Sequence, residues 1–457
     1  MRTIVVGAGE VGYHIAKRLA QEGHDVVIIE ADAAAKERVE KELDVLAIQG
    51  HGASPGVLAQ AGVTETDLLI AVTDKDEVNL IASMLAKEYG VATTIARVGN
   101  PELSRTPILQ AGRRLGIDLL INPNQAVAEE IAKLVHVPAA AEVAYFAEGK
   151  VQVLGIDVGA NAPILGKPLK ELSTFQAEQP FLVLAISRKD TTQAPNGEAS
   201  IVIPDGETTI LPGDHLYLVA RRDDIAGILT LLGRQDEPPR RVLIIGGGRV
   251  GLRVAETLES EGIPVTLVER NPKRCEELAQ HLQRALVIQG DGTDSQFLME
   301  EGNVEMDAVV TVSDDEATNI LAALLAKRRG AKKVIALIQR PHFLQLAPSL
   351  GIDAAISPRL TTASAILRHV RGGRVVSLVE MPEWNAEIME LVALPTAAVV
   401  GQPLRDVSMP KGAIVAAIKR GEEIIIPKGD SQILAADRVI LFALPEAIPK
   451  VERLFSG

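Results

Sequence analysis

Twice in this 457-residue chain a short apolar run ends in glycines spaced to hold a phosphate. The first copy is Ile4-Val5-Val6-Gly7-Ala8-Gly9-Glu10-Val11-Gly12. The second, about 239 residues on, is Leu243-Ile244-Ile245-Gly246-Gly247-Gly248-Arg249-Val250-Gly251. In G-x-G-x-x-G the first glycine permits a tight turn, the second lets phosphate oxygens approach the main chain, and the third lets helix pack on strand. A helix opening at Gly9 or Gly248 aims free N–H groups and a positive dipole end at a pyrophosphate. An acid follows each turn at a common distance: Glu30 lies 18 residues past Gly12, and Glu269 lies 18 past Gly251. A carboxylate there accepts from ribose hydroxyls and repels a 2′-phosphate, which favours NAD(H) or an adenine nucleotide over NADP(H). One such turn is a weak signal. Two with matching acids are a strong one.

Other polar residues fall where a nucleotide crevice would open. Thr73 and Asp74 close the fourth strand, beside the expected reversal of strand order, where Thr73 faces a phosphate or ribose and Asp74 a ribose or base. Asp74 equally suits the N-cap of a helix over Glu77–Glu88. Arg97, at the end of the fifth strand, either neutralises ligand phosphates or pairs with a local carboxylate. His51, after the third strand, lies either near an adenine edge or simply in solvent. The second half differs at these points: Arg249 replaces Glu10, Asp291 replaces His51, Ser313 replaces Thr73, and Arg97 falls on Leu337. The two sites are therefore expected to differ in ligand preference.

Hydride-transfer catalysis, the obvious alternative for a dinucleotide domain, needs a positioned acid or base beside the cofactor. The eight histidines (His14, His24, His51, His136, His215, His281, His342 and His369) are scattered without a neighbouring acid or cysteine in any known motif. Cys275 follows Pro272 in a charged helical stretch and reads as an ordinary helix residue. Nothing argues for chemistry beyond binding, and no catalytic or metal-binding residue is assigned.

Strands and helices must alternate to hold these turns. Strands are expected at Ile4–Val6, Val26–Glu30, Val45–Ile48, Leu68–Val72, Thr94–Val98 and Asp118–Ile121. Helices follow at Val11–Ala20 and Ala33–Glu42. Continuous apolar strands between amphipathic helices imply a parallel, doubly wound sheet covered on both faces. From about 139 to 230 short alternating strands (Val151–Val158, Phe181–Ser187, Ser200–Ile203 and His215–Val219) imply a small α+β domain, with turns at Asn196-Gly197 and Pro212-Gly213. Gly233–Arg241 reads as a linker, after which the plan repeats. Ile164-Leu165-Gly166-Lys167-Pro168-Leu169 matches Val399-Val400-Gly401-Gln402-Pro403-Leu404, and Asn79 falls on Asn319. Four domains are expected, at 1–136, 137–233, 241–372 and 373–457. The stretch Gln125–Val137, with its counterpart Thr361–Val370, is the candidate crossover helix and hinge, or else a packing helix between domains.

Composition narrows the class. The net charge of −13 and the 3% aromatic content argue against nucleic acid as a partner, which attracts basic surfaces and stacking platforms. No apolar stretch approaches the roughly 18 residues of a membrane span. The opening Met1-Arg2-Thr3 leaves no room for a signal peptide, and the single cysteine suits a reducing cytoplasm. A redox-sensing repressor on a similar domain is disfavoured by the acidity and by the lack of a basic recognition helix at either terminus.

The tandem glycine turns, Gln49-Gly50-His51-Gly52, Val72-Thr73-Asp74 with Asn79, Arg97, and Ala336-Leu337-Ile338-Gln339-Arg340 together resemble the TrkA family. Its members are cytosolic regulatory subunits of Trk-type potassium uptake systems, built from regulator-of-K⁺-conductance (RCK) domains. The resemblance covers essentially the whole chain. It implies two Rossmann-like domains, each followed by a small α+β domain, and a peripheral protein forming a homotetrameric ring beneath a membrane potassium-transporting subunit. It also implies that NAD(H) and ATP or ADP compete at Gly7–Gly12, Glu30, Thr73–Asp74 and Arg97. A second set would use Gly246–Gly251 and Glu269, with Leu337 putting that set in doubt.

Overall fold

The computed structural model describes residues 1–100, 103, 115–188, 200–234, 239–294, 297, 306–370, 375–381 and 386–455. The Asn196-Gly197 turn and the 372/373 boundary lie outside these residues. Six strands form the first sheet: β1 (Arg2–Val6), β2 (Asp25–Glu30), β3 (Leu46–Gln49), β4 (Leu68–Ala71), β5 (Thr93–Arg97) and β6 (Leu119–Ile121). Their order is β3-β2-β1-β4-β5-β6, with every pairing parallel. The Val, Ile, Leu and Ala side chains of β1, β2 and β4 are buried on both faces, which is why these strands lack a polar alternation. The order reverses between β1 and β4, where a doubly wound sheet opens its ligand crevice.

An antiparallel sheet follows, made of β7 (Glu142–Phe146), β8 (Val151–Asp157), β9 (Phe181–Arg188), β10 (Ser200–Val202) and β11 (His215–Arg221), ordered β10-β9-β11-β8-β7. The second half repeats both sheets. β12 (Val242–Ile245), β13 (Val265–Glu269), β14 (Leu286–Gln289), β15 (Ala308–Thr311), β16 (Lys333–Leu337) and β17 (Ala354–Ile356) are ordered β14-β13-β12-β15-β16-β17. β18 (Val375–Met381), β19 (Ala386–Val392), β20 (Ala413–Arg420), β21 (Glu423–Ile425) and β22 (Arg438–Ala443) form the last sheet, ordered β18-β19-β22-β20-β21.

The helices that position the crevices are α1 (Glu10–Gln21), α2 (Ala33–Glu42), α3 (Asp76–Glu88) and α4 (Pro123–His136). Their counterparts are α5 (Arg249–Ser260), α6 (Pro272–His281), α7 (Glu316–Arg328) and α8 (Pro358–Val370). α4 starts cleanly because the Asn122 side chain accepts from the Asn124 and Gln125 N–H groups, with Pro123 in its first turn. Its buried residues, Val127, Ala128, Ile131, Ala132, Leu134 and Val135, spread beyond one stripe, so it needs apolar partners on more than one side.

Those partners come from the other half. α4 and the small sheet β7–β11 share a continuous core with β12, β13, β15 and α5. Reciprocally, α8 and the small sheet β18–β22 share a core with β1, β2, β4 and α1. The two small sheets also meet face to face, with Phe146, Tyr217 and Val219 in one cluster with Ile388, Ile440 and Phe442. Each half's small sheet and crossover helix therefore share one core with the parallel-sheet domain of its partner half. α4 and α8 thus pack across the two halves, as either reading of Gln125–Val137 and Thr361–Val370 requires. Lys333, 1% exposed at the start of β16, reaches back to the Ala140 carbonyl and pins the segment joining α4 to β7.

Candidate nucleotide-binding crevices

The first glycine turn leaves β1 with Gly7 at φ +103°, a conformation L side chains rarely adopt. The N–H of Gly7 donates to the Ile29 carbonyl at 2.8 Å, locking the turn to β2. Gly12 packs so tightly that a Cβ there would stand 1.9 Å from the Gly7 carbonyl oxygen. Gly9 is the opposite case: a Cβ built on it meets nothing within 4 Å. It is also the N-cap of α1 and offers no side-chain cap, so no side chain at the cap position satisfies the first-turn N–H groups of α1. A cradle of main-chain amides beside a vacant Cβ direction is what a diphosphate needs. The residues fit the adenine dinucleotide that the glycine spacing implies.

Glu30 braces this cradle. Its Oε2 accepts from the Ala8 N–H at 2.5 Å and its Oε1 from the Asp32 N–H at 2.8 Å. Ala8 is 1% exposed, so its role is packing plus that N–H. Across the crevice β4 ends at Ala71, so Thr73 and Asp74 lie in the turn beyond the strand rather than closing it. A Cβ on Gly7 would touch the Thr73 N at 3.1 Å, so the two turns are in contact. Asp74 is exposed and does not cap α3: the cap position is Lys75, with no side-chain bond, because the helix begins only at Asp76. That corrects the capping alternative.

Arg97 donates from Nη1 to the Thr73 carbonyl at 2.7 Å, which brings its guanidinium from β5 to the crevice edge. Among the described residues its partner is thus a main-chain carbonyl rather than the local carboxylate considered as the alternative. His51 is exposed, and its Nδ1 accepts from the Ala53 N–H at 3.3 Å, shaping its own loop. Glu10, exposed at the start of α1, lies 3.2 Å from Arg38 on α2 and 3.4 Å from Arg359 on α8. The first crevice therefore has a cation of the second half at its lip. Val11 is half-buried beside it.

The second crevice keeps the frame. Gly246 has φ +111°, and a Cβ on Gly251 would stand 1.9 Å from the Gly246 carbonyl oxygen. Glu269 accepts from the Gly247 and Asn271 N–H groups, both at 2.8 Å. A Cβ on Gly248 would come 3.7 Å from Asp314, so this cradle carries a carboxylate near its mouth. Arg249 is exposed and Val250 half-buried. Asp291 accepts from the Thr293 hydroxyl and N–H, and those bonds lower its carboxyl below the ordinary range. Leu337 contributes only its carbonyl, so the cation that Arg97 supplies has no counterpart there.

Two pairs of residues carry more of the site than their sequence context suggested. Asn79, fully buried, accepts from the Thr73 N–H and hydroxyl at 2.8 and 2.7 Å and donates to the Thr73 and Arg97 carbonyls, both at 3.0 Å. Asn319 makes the same bonds to Ser313 and Leu337. Asp76 accepts from the Gly99 and Asn100 N–H groups at 2.9 and 2.7 Å, while Glu316 accepts from those of Gln339 and Arg340, both at 2.7 Å. Burial would raise the Glu316 carboxyl, but the Arg340 N–H and guanidinium hold it below the usual range. The Asn79–Asn319 repeat was visible without revealing a role. The signal for Asp76 and Glu316 was an acid in the first turn of a helix.

Cys275 lies in α6, with its thiol donating to the Glu269 carbonyl at 3.3 Å. Burial and then the neighbouring Glu269 carboxylate raise its pKa, the reverse of an activated nucleophile. Among the described residues no helix is long and apolar enough to cross a membrane.

The TrkA-N domain model matches residues 3–123 and 242–358, and the TrkA-C domain model matches 153–233 and 388–456. Trk system potassium uptake protein TrkA homolog 1 of Methanosarcina mazei is 38% identical over 463 residues, covering 100% of both chains. Trk system potassium uptake protein TrkA of Azorhizobium caulinodans is 35% identical over 467 residues, covering 100% of this chain and 98% of the relative. Among solved structures, the GsuK channel bound to NAD has a similar fold (TM-score 0.59, 17% identity), covering 100% of this chain and 79% of that one. The GsuK RCK domain matches equally well (TM-score 0.59, 17% identity), covering 100% of this chain and 95% of that one. With both domain types matched twice and relatives aligned end to end, the chain belongs to the TrkA family.

Proposed function

We propose that this protein is the nucleotide-sensing regulatory subunit of a Trk-type potassium uptake system. It binds NAD(H), and ATP or ADP in competition, at the first crevice through Gly7–Gly12, Glu30, Thr73, Asp74 and Arg97. The domains fall at 1–136, 137–233, 241–372 and 373–457. Four chains form a ring on the inner face of the membrane and contact a membrane-embedded potassium-transporting subunit. The protein binds its nucleotide without turning it over.

The observation that carries the reading is the junction at Glu10. The amides beside Glu10 form the open phosphate cradle, while its carboxylate is paired with Arg359 on the crossover helix of the second half. A diphosphate arriving at that cradle brings negative charge beside Glu10 and so acts on the contact between the halves. Ligands of different charge and length then favour different angles between the halves, by as much as their affinities for those angles differ. The full-length relatives bear the name of a potassium uptake system, which supplies the output.

The test is titration calorimetry of NADH, NAD⁺, ATP and ADP into the full chain and into Gly9→Asp. The reading expects binding to the wild type and loss of at least the NADH signal in Gly9→Asp, whose carboxylate repels the diphosphate. A wild type that binds none of the four contradicts it.

A further inference from the structure

Around Glu30 and Glu269 the two halves share one backbone frame but differ in the residues that immediately follow the acid. Each acid accepts one N–H from its glycine turn and one from the residue two positions on. Yet residues 30–35 read Glu-Ala-Asp-Ala-Ala-Ala, and residues 269–274 read Glu-Arg-Asn-Pro-Lys-Arg. The first stretch holds two acids and no base, the second one acid and three bases. The cap of the next helix follows the same trend: an ionisable Asp32 side chain caps α2, and a neutral Asn271 side chain caps α6.

One of the three bases reaches the turn itself. Arg274 donates from Nε to the Gly247 carbonyl at 2.9 Å and from Nη1 to Glu277 at 2.8 Å. Arg270 and Lys273 are exposed, and the charge of Arg270 reaches Asp291, two residues past β14. Arg249 adds a further cation where the first turn has Glu10. Asp291, in place of His51, runs the other way, but the Thr293 N–H and hydroxyl engage its Oδ1 at 2.9 and 2.7 Å.

In a dinucleotide crevice the acid ending the second strand faces the adenosine ribose, and a nearby arginine accommodates a 2′-phosphate. Here Arg270, next to Glu269 in the chain, and Lys273, in the first turn of α6, supply exposed cations where the first half has Ala31 and Ala34. We infer that the second crevice takes an adenine dinucleotide bearing a 2′-phosphate, of the NADP(H) class, while the first takes the form without it. This rests on the nucleotide-sensing reading and assigns the second site its ligand class. It reverses, for that half, the preference the acid alone implies.

The test is calorimetry on the full chain with NADPH and NADH, using wild type, Gly9→Asp, and Arg270→Ala combined with Lys273→Ala. Gly9→Asp silences the first crevice without steric cost, because its Cβ direction is open. The inference expects Gly9→Asp to lose NADH binding and retain NADPH binding. The combined 270 and 273 substitutions should weaken NADPH by about tenfold or more, from lost charge-assisted contacts, and leave NADH at the first crevice unchanged. Absent NADPH binding, NADPH binding indifferent to residues 270 and 273, or NADH binding Gly9→Asp more tightly than NADPH each overturns it. If NADH still binds the wild type through Gly9 while NADPH does not, only this inference fails. If neither binds, the sensor reading fails as well.

Discussion

Asn79 and Asn319 each satisfy four hydrogen-bonding groups with one buried carboxamide, and so join the turn after one central strand to the end of the next. Asn79→Ala leaves the half-buried Thr73 N–H and the Arg97 carbonyl without their partner, at a cost of about 1–2 kcal/mol. Chemical denaturation should show a lower unfolding midpoint; a midpoint equal to that of the wild type would mean the clip is dispensable. The glycines and the acids were legible from spacing because main-chain geometry dictates them. The asparagines were not, because an isolated polar residue on a helix looks the same whether it faces solvent or a neighbouring turn. Asp74 illustrates the converse: its type suited a cap, but the cap position falls on Lys75 and the helix starts at Asp76.

At the scale of elements, the strands expected in the first parallel sheet followed from their apolar runs to within two residues, since a sheet covered on both faces leaves no polar alternation to misread, whereas β7 (Glu142–Phe146) of the small sheet was not anticipated. The tight turns before β11 and β22 differ in one respect. Gly213 holds φ +85° in the first, whereas Ala436 holds φ +68° in the second, where a Cβ is strained. Ala436→Gly should therefore stabilise the protein by about 0.5–1 kcal/mol, seen as a raised melting temperature; a fall would show that chain entropy outweighs the strain. β11 also carries a pH-dependent contact. His215 lies 2.8 Å from Asp157 on β8 and 3.2 Å from Glu142 on β7, with the Tyr217 ring 4.9 Å away. Burial alone would lower its pKa, but the two carboxylates raise it from 6.5 to about 10. Its contribution is thus complete below pH 6.5 and disappears as pH rises through about 10. Lys333, which feels the charges of Asp353, Glu142, Lys327 and Asp157, acts oppositely: burial lowers it to about 8, so its charged form costs stability below that pH and the cost fades towards 10.5. Calorimetric melts of His215→Gln should show the largest deficit at about pH 5–6, where the imidazolium and its carboxylate partners are all charged, and convergence with wild type in alkali. A deficit independent of pH would assign His215 a packing role alone.

At the scale of the whole molecule, the two halves are repeats in sequence and partners in space. The repeat was legible, and so was the candidacy of Gln125–Val137 as a crossover. Which sheet each small domain covers was not, because the apolar faces of α4 would suit either half. The crossed cores predict that the linker is dispensable for cohesion. A protease site inserted between Arg234 and Pro239 and then cut should leave both fragments co-eluting as one particle, since separation would expose the cores they share. Fragments that part on gel filtration would contradict the crossed packing. The same crossing places Arg359 of one half against the phosphate turn of the other, so ligand charge and the angle between halves act on one contact. The most direct test of the account is calorimetric titration of NADH into the intact wild-type chain and into Gly9→Asp. Saturable binding that Gly9→Asp abolishes is the predicted result; heat signals absent from the wild type, or undiminished in the variant, would contradict it.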